Sequence, residues 1–194
     1  KYSSMTLEEI AKKMVAKGKG ILAADASTGT MEKRLKSVNV ESTLENRLNF
    51  RETLFSSEGM KNYIGGVILF EETLKQKSTQ GISIPELIMK SGSVPGIKVD
   101  KGAKVLAGSS DEKITEGLDG LRERLKEYYK LGARFTKWRA VYSISDKHPS
   151  SQAIKSNAHA LARYAALAQE AKMVPIVEPE VLMDGNHDIE KCYK

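Results

Sequence analysis

The stretch Val174-Pro-Ile-Val-Glu-Pro-Glu180 restricts what this chain can fold into more than any other part of it. It opens on an apolar run of the kind found in strands covered on both faces. It closes with Glu178 and Glu180 at i and i+2, which share a face of a strand. Two carboxylates at the end of a buried strand cost too much unless water or cations meet them. The chain supplies cations in the same format. Ile97-Lys-Val-Asp100 carries Lys98 and Asp100 at i and i+2, and Phe135-Thr-Lys-Trp-Arg139 carries Lys137 and Arg139. Three strands therefore aim charge pairs at one place. Trp138, between Lys137 and Arg139, faces the other way and reads as core beneath a helix.

Other segments repeat the strand-then-helix rhythm. Thr6-Leu-Glu-Glu9 has capping-box spacing and starts a helix on Ile10, Met14 and Val15 that should stop before Gly18 or Gly20. Gly20 to Asp25 reads as a buried strand ending in an acid, followed by Ser27-Thr-Gly29 and a new helix. Ser42-Thr-Leu-Glu45 repeats the capping signature ahead of a helix face of Leu44, Leu48 and Phe55. Gly65 to Phe70 is the next strand, ending in Glu71 and Glu72. A short helix over Pro85 to Met89 leads to the strand Gly96 to Asp100, and Gly102 opens a loop expected to run to about Asp111. Leu118, Leu121, Leu125 and Tyr128 mark a helix stopped by Gly132. After the strand Phe135 to Val141, an alanine-rich helix with Ile154, Ala158, Leu161, Ala165 and Ala168 on one face leads into Val174 to Glu180.

Five buried strands separated by helices imply an α/β fold with parallel strands, because parallel neighbours need crossover connections. An open sheet keeps its chemistry in loops at a switch point. A (β/α)8 barrel instead gathers catalytic groups at the C-terminal ends of several strands, where Asp25, Glu72, Asp100, Arg139 and Glu180 fall. The charge pairs reaching back into the strands favour the barrel. With no repeat, linker or low-complexity tract to divide them, residues 1–194 read as one domain, an incomplete TIM barrel with about five of its βα units.

Composition excludes several function classes. The 31 basic residues are interspersed with 25 acidic ones, and the net charge of +6 forms no basic stripe with aromatics, which disfavours nucleic acid as a partner. Cys192 is the sole cysteine, so there is no internal disulfide, and a reducing compartment, the cytoplasm, is expected. No apolar run is long enough to span a bilayer. The chain opens on Lys1 with no charged-then-apolar leader, and residues are expected to precede it.

The remaining motifs lead nowhere specific. Lys17-Gly-Lys-Gly20 lacks P-loop spacing, and no dinucleotide-binding glycine pattern occurs. Asp184-Gly-Asn-His-Asp188 imitates the start of a calcium loop but has Ile189 at the required glycine, so a surface turn is the better reading. His148, His159 and His187 lack ligand spacing. Neither a metal nor a cofactor is expected.

The charged strand ends carry the chemistry. Asp25, Asp100, Glu178 and Glu180 face Lys98, Lys137 and Arg139, leaving room for one more cation. Lysines crowded by cations or held in a dry site can act as amines toward carbonyls, and neighbouring carboxylates can shuttle the protons that imine chemistry needs. Carbonyl chemistry on an anionic substrate is as far as spacing alone reaches.

Gly18-Lys-Gly-Ile-Leu-Ala-Ala-Asp25, Gly65-Gly-Val-Ile-Leu-Phe70, Gly96-Ile-Lys-Val-Asp-Lys-Gly102, Lys137-Trp-Arg139 and Val174 to Glu180 together resemble the class I fructose-bisphosphate aldolase family over essentially the whole chain. The resemblance implies a (β/α)8 barrel that reversibly cleaves fructose 1,6-bisphosphate to dihydroxyacetone phosphate and glyceraldehyde 3-phosphate through a lysine Schiff base. It also implies a cytoplasmic homotetramer of glycolysis and gluconeogenesis. By position, Glu178 resembles the acid/base that dehydrates the carbinolamine, Asp25 the strand-one acid at carbon–carbon cleavage, and Lys137 the lysine that stabilises developing charge. Arg139 and Glu180 fall in the supporting network, with Asp100 beside it. Lys98 resembles a substrate-binding lysine, and Lys33, Arg34 and Arg47 fall where the family contacts or closes over phosphate. Ser27 suits an anion at a helix start.

Two departures from the family pattern stand out. Asp25-Ala-Ser27 replaces the usual Asp-Glu-Ser, removing one carboxylate. The family's Schiff-base lysine belongs to a sixth strand, in a Leu-Lys-Pro-Asn context beyond Lys194, so these residues alone are expected to be inactive. The alternative is a truncated, non-catalytic barrel fragment acting as a binding or assembly module, against which its unpaired strand edges count.

Overall fold

Each apolar run that ends in charge is a strand of one parallel sheet in the computed structural model, which describes residues 2–194. In chain order the elements are α1 (Leu7–Met14), β1 (Gly20–Ala24), α2 (Thr28–Ser37), α3 (Leu44–Phe55), α4 (Glu58–Tyr63), β2 (Ile64–Leu69), α5 (Glu71–Leu74), α6 (Ile84–Lys90), β3 (Val94–Lys98), β4 (Ala103–Val105), β5 (Lys113–Thr115), α7 (Leu121–Lys130), β6 (Phe135–Tyr142), α8 (Ser151–Glu170), β7 (Val174–Val181) and α9 (Ile189–Tyr193).

The sheet order is β1-β2-β3-β6-β7, and all four pairings are parallel. This order never reverses, so there is no switch point of the kind an open doubly wound sheet requires. Right-handed crossovers between strands taken in one direction put every connecting helix on the same side. A sheet covered by helices on one face only, and curling away from them, is the wall of a barrel.

The two faces of that wall are packed differently. On the outside, Val67, Leu69, Ile97, Val99, Trp138 and Ala140 meet Leu121, Leu125 and Tyr128 of α7 and Ala160, Leu161, Tyr164 and Ala168 of α8 in the larger core. Trp138 is fully buried and stacks on Tyr164 with ring centroids 5.3 Å apart, as its alternation with the charged residues implied. On the inside, Ile68, Val94 and Phe135 form a lower apolar layer closed by Tyr2, Ile10 and Met14 at the N-terminal ends of the strands. The charged residues lie further along the same face, because Phe135, Lys137 and Arg139 succeed one another at every second position.

Glycine makes the lower layer possible. A Cβ on Gly96 would sit 2.3 Å from the Phe135 ring, and one on Gly66 would sit 3.1 Å from it. Two adjacent strands thus give up their side chains so that one aromatic ring can fill the space.

Local signals mostly hold. Thr6 and Glu9 complete the capping box in both directions, at 3.2 and 2.8 Å. Asp188 caps α9 through the Lys191 amide, so the Asp184–Asp188 segment is the surface turn its sequence implied. Seven readings change. Val15 lies past the end of α1 and is exposed. Leu118 precedes α7, which starts at Leu121 after Gly120. The outer strands β1 and β7 are only partly buried, with Val177 exposed, because each lies at an edge of the sheet. The cap of α3 is Thr43 and not Ser42, one residue on, and Leu44 is exposed because that helix buries Arg47, Arg51 and Phe55. Along α8 the buried stripe is Ala153, Asn157, Ala160, Leu161, Tyr164 and Ala168, which leaves Ile154 and Ala158 outside. The stretch after Gly102 is not a plain loop but the antiparallel hairpin β4–β5. Ser57 and Glu58 start α4 where only a turn was expected.

Candidate active site

The charge pairs converge. Lys137, from the middle of β6, places Nζ 2.9 Å from Asp25 Oδ2 at the exit of β1 and 3.8 Å from Glu178 Oε2 on β7. Arg139, one pleat further, bonds Glu180 through Nε and lies 3.8 Å from Glu178 Oε1. Lys98, the register partner of Lys137, donates to Asp100 Oδ1 at 2.6 Å. Asp100 also accepts from the Gly102 amide on Oδ1 and the Arg139 amide on Oδ2, each at 3.0 Å. All seven residues read from the strand ends therefore belong to one connected network on the inner face.

The network is graded in burial. The side chains of Asp25 and Lys137 are each 11% exposed, whereas Glu178, Glu180 and Arg139 are 34 to 40% exposed, so the trough opens along β7. The Arg139–Glu180 hydrogen bond holds the Glu180 carboxyl below the usual carboxylate range and raises the guanidinium above its own. Glu178 is the exception among the four acids. Its oxygens have cations at 3.8 Å on both sides, too far for a hydrogen bond, while Asp25, Asp100 and Glu180 are each held directly. It is the one of the four with no cation at hydrogen-bonding distance.

The other predicted site residues lie apart from this cluster. Ser27 caps α2, accepting from the Thr30 amide at 3.3 Å. It lines a shallow surface cleft with Gly29, Thr30, Glu32, Lys33 and Lys36, and Arg34 is exposed on the same helix. Arg47 is nearly buried and fully engaged within the protein. It grips both oxygens of Glu72 at 2.7 and 3.1 Å and donates to the Ser42 carbonyl and hydroxyl.

Glu72 is shared with a residue that sequence reading passed over. Arg51, 2% exposed, donates to Glu72 at 2.7 Å and to the carbonyl of Ala26 at 3.0 Å. Residue 26, an alanine, thus enters the network through its backbone. Arg47, Arg51 and Phe55 follow at every fourth position, a stripe visible in the sequence once arginine is allowed to be buried against an acid. Hydrogen bonding from Arg47, opposed by burial, keeps the Glu72 carboxyl below its ordinary range. Among the described residues no group of three or more histidine, cysteine, aspartate or glutamate side chains is arranged to hold a metal ion.

A one-directional parallel sheet whose strand ends carry paired lysines and carboxylates defines part of an α/β-barrel protein with its chemistry at the C-terminal mouth. The family model described as fructose-bisphosphate aldolase class-I matches residues 6–194, and the chain belongs to that family. It is 57% identical over 188 residues to a probable fructose-bisphosphate aldolase class 1 of Xanthomonas campestris, covering 97% of this chain and 56% of that protein. It is 56% identical to fructose-bisphosphate aldolase 1 of Toxoplasma gondii, covering 96% and 52%. A solved aldolase from Plasmodium falciparum, crystallised with TRAP and a small-molecule inhibitor, superposes with a TM-score of 0.93 at 50% identity, over 96% of this chain and 54% of that one. The chain spans about half the length of the relatives it matches.

Proposed function

We propose that these residues form the first part of the active site of a class I fructose-bisphosphate aldolase, which reversibly cleaves fructose 1,6-bisphosphate to dihydroxyacetone phosphate and glyceraldehyde 3-phosphate. The observation that carries this reading is Glu178, an acid flanked by Lys137 and Arg139 at 3.8 Å and bound tightly by neither. In imine formation an amine adds to the substrate carbonyl, and the carbinolamine loses water only if its hydroxyl is protonated; Glu178 is placed to give that proton and later to take one back. Asp25, on the far side of Lys137, accepts the hydroxyl proton as the carbon–carbon bond breaks. Lys137 stabilises the charge that develops between them. Arg139 and Glu180 hold Glu178 in register, and Lys98, steadied by Asp100, binds substrate.

Phosphate binding falls to Ser27, Lys33 and Arg34 on and before α2, where free amides at a helix start favour an anion. Arg47 would have to leave Glu72 to join them. The Schiff-base amine is supplied by a lysine outside these residues: Lys98 and Lys137 are each taken by a carboxylate, and the relatives are nearly twice as long. Relatives named as cytosolic carry about the same identity, which supports a cytoplasmic location, and a glycolytic and gluconeogenic role goes with the aldolase reading. No helix among the described residues is long and apolar enough to cross a membrane. A homotetramer is the expected assembly.

Borohydride trapping of dihydroxyacetone phosphate on the full-length protein, followed by peptide mapping, tests the assignment. The label should fall outside residues 1–194, and a label on Lys98 or Lys137 overturns the placement of the nucleophile. In the same protein Glu178→Gln should slow imine formation by about 100-fold in single-turnover experiments. An unchanged rate would remove Glu178 from the proton-transfer role.

A further inference from the structure

Strand β6 outlasts its neighbour. β3 ends at Lys98, and the Val99 amide makes the last backbone rung to the Lys137 carbonyl at 3.0 Å, yet β6 continues to Tyr142. Beyond that rung the backbone of Arg139 is paired with no strand on the β3 side. Its amide instead donates to the Asp100 carboxylate, and its carbonyl accepts from the Thr115 hydroxyl at 2.7 Å. Two side chains thus continue the ladder where the neighbouring strand has run out.

Thr115 is itself held from behind. It is 3% exposed, at the end of β5, and its amide donates to Asn157 Oδ1 at 3.3 Å. Asn157 Nδ2 donates to the Lys113 carbonyl at 2.9 Å and back to Ala153 at 3.0 Å. Asn157 is 1% exposed, an amide inside the apolar stripe of α8 with each of its groups used. A buried amide so placed costs free energy unless all its bonds are made, and here they grip two alternate residues of β5. The hairpin is tied down further where the Lys101 amide meets the Glu116 carbonyl and the Glu116 amide meets that of Gly102. A continuous hydrogen-bonded path therefore runs from α8 through Asn157 and Thr115 to the backbone of Arg139, whose guanidinium stands between Glu178 and Glu180.

We propose that Thr115, locked by Asn157, is a positioning residue for the Arg139–Glu178–Glu180 group, and that the hairpin β4–β5 exists to present it. The proposal rests on the aldolase reading for its kinetic consequence but not for its structural one. Without the hydroxyl, the Arg139 carbonyl loses its partner, and this side of β6 is held only by the Asp100 carboxylate while its other side stays paired with β7. A small displacement of a proton-transfer group lowers the rate of the step it serves while leaving substrate affinity nearly intact.

The test compares Thr115→Val, which keeps the shape and removes the hydroxyl, with Thr115→Ser, which keeps the hydroxyl, in the full-length protein. Thr115→Val should lower kcat about tenfold with KM changed by less than about twofold, and Thr115→Ser should restore most of the loss. Exchange of the Arg139 Nε–H with solvent, followed by NMR without substrate, should quicken in the valine variant only. A valine variant with unchanged kcat and exchange overturns the proposal. So does an equal loss in both variants that tracks the folded fraction. If the wild type fails to cleave fructose 1,6-bisphosphate, the aldolase reading has failed, and the exchange measurement alone decides whether Thr115 positions Arg139.

Discussion

Replacing Gly96 by alanine should expose how the site is supported from beneath. The new methyl would lie 2.3, 2.4 and 2.5 Å from three atoms of the Phe135 ring, far inside van der Waals contact. The ring cannot withdraw, since it already stands against Gly66 and is fully buried. Overpacking of this kind costs about 1–3 kcal/mol. The reduced freedom of the unfolded alanine chain offsets about 0.4–1 kcal/mol of that, and the middle of the two ranges leaves a net loss of about 1–2 kcal/mol. For a chain of this size such a loss lowers the melting temperature by roughly 2–8 °C. Urea titration should show a lower midpoint with an unchanged slope, since the surface exposed on unfolding barely changes. The clash is specific to the ring, so Phe135→Leu should cost less in the Gly96→Ala background than in the wild type, a coupling a double-mutant cycle measures. A Gly96→Ala variant as stable as wild type, or mutations that add without coupling, would refute the reasoning.

Three further outcomes follow from buried polar groups. Glu72→Gln leaves the two cations of Arg47 and Arg51 facing a neutral amide, and because Glu72 is only 19% exposed the loss should be about 3 kcal/mol by denaturation; a loss below about 1 kcal/mol would mean the arginines find other partners. A carboxyl whose folded pKa is depressed stabilises the fold above its unfolded pKa and loses that contribution as pH falls through the folded value. Stability should therefore decline as acid is added below about pH 4.5, and the decline should be shallower in Glu72→Gln; parallel curves would exclude Glu72 as a source. Tyr164→Phe removes the phenol that bonds Thr136 at 2.7 Å and the Ile176 carbonyl at 3.0 Å, and should cost about 1–2 kcal/mol in a denaturant titration.

How far the sequence reaches is clearest along the strands. Lys98, Lys137, Arg139, Glu178 and Glu180 were legible because strand periodicity is two and admits no other facing: once Trp138 is core, its neighbours must point inward. Helices were less secure. On α8 the apolar residues Ile154 and Ala158 suggested one stripe, but Asn157 and Tyr164 are the buried members of another, since a polar side chain with all its partners met is as buriable as alanine. The same blindness hid Arg51, whose burial depends on Glu72 and Ala26, both remote in sequence.

By itself the sequence determined the five barrel strands and their order, the parallel sheet and the identity of the charges that meet on its inner face, because each follows from periodicity and chain direction. Only the tertiary structure decided how those charges divide. It put Lys137 between Asp25 and Glu178, left Glu178 without a cation at hydrogen-bonding distance, and turned Arg47 toward Glu72. It also braced Arg139 from a hairpin that local pattern did not reveal. These outcomes turn on distances between residues up to 112 positions apart, and such distances are set by how the sheet curls and what its helices bury.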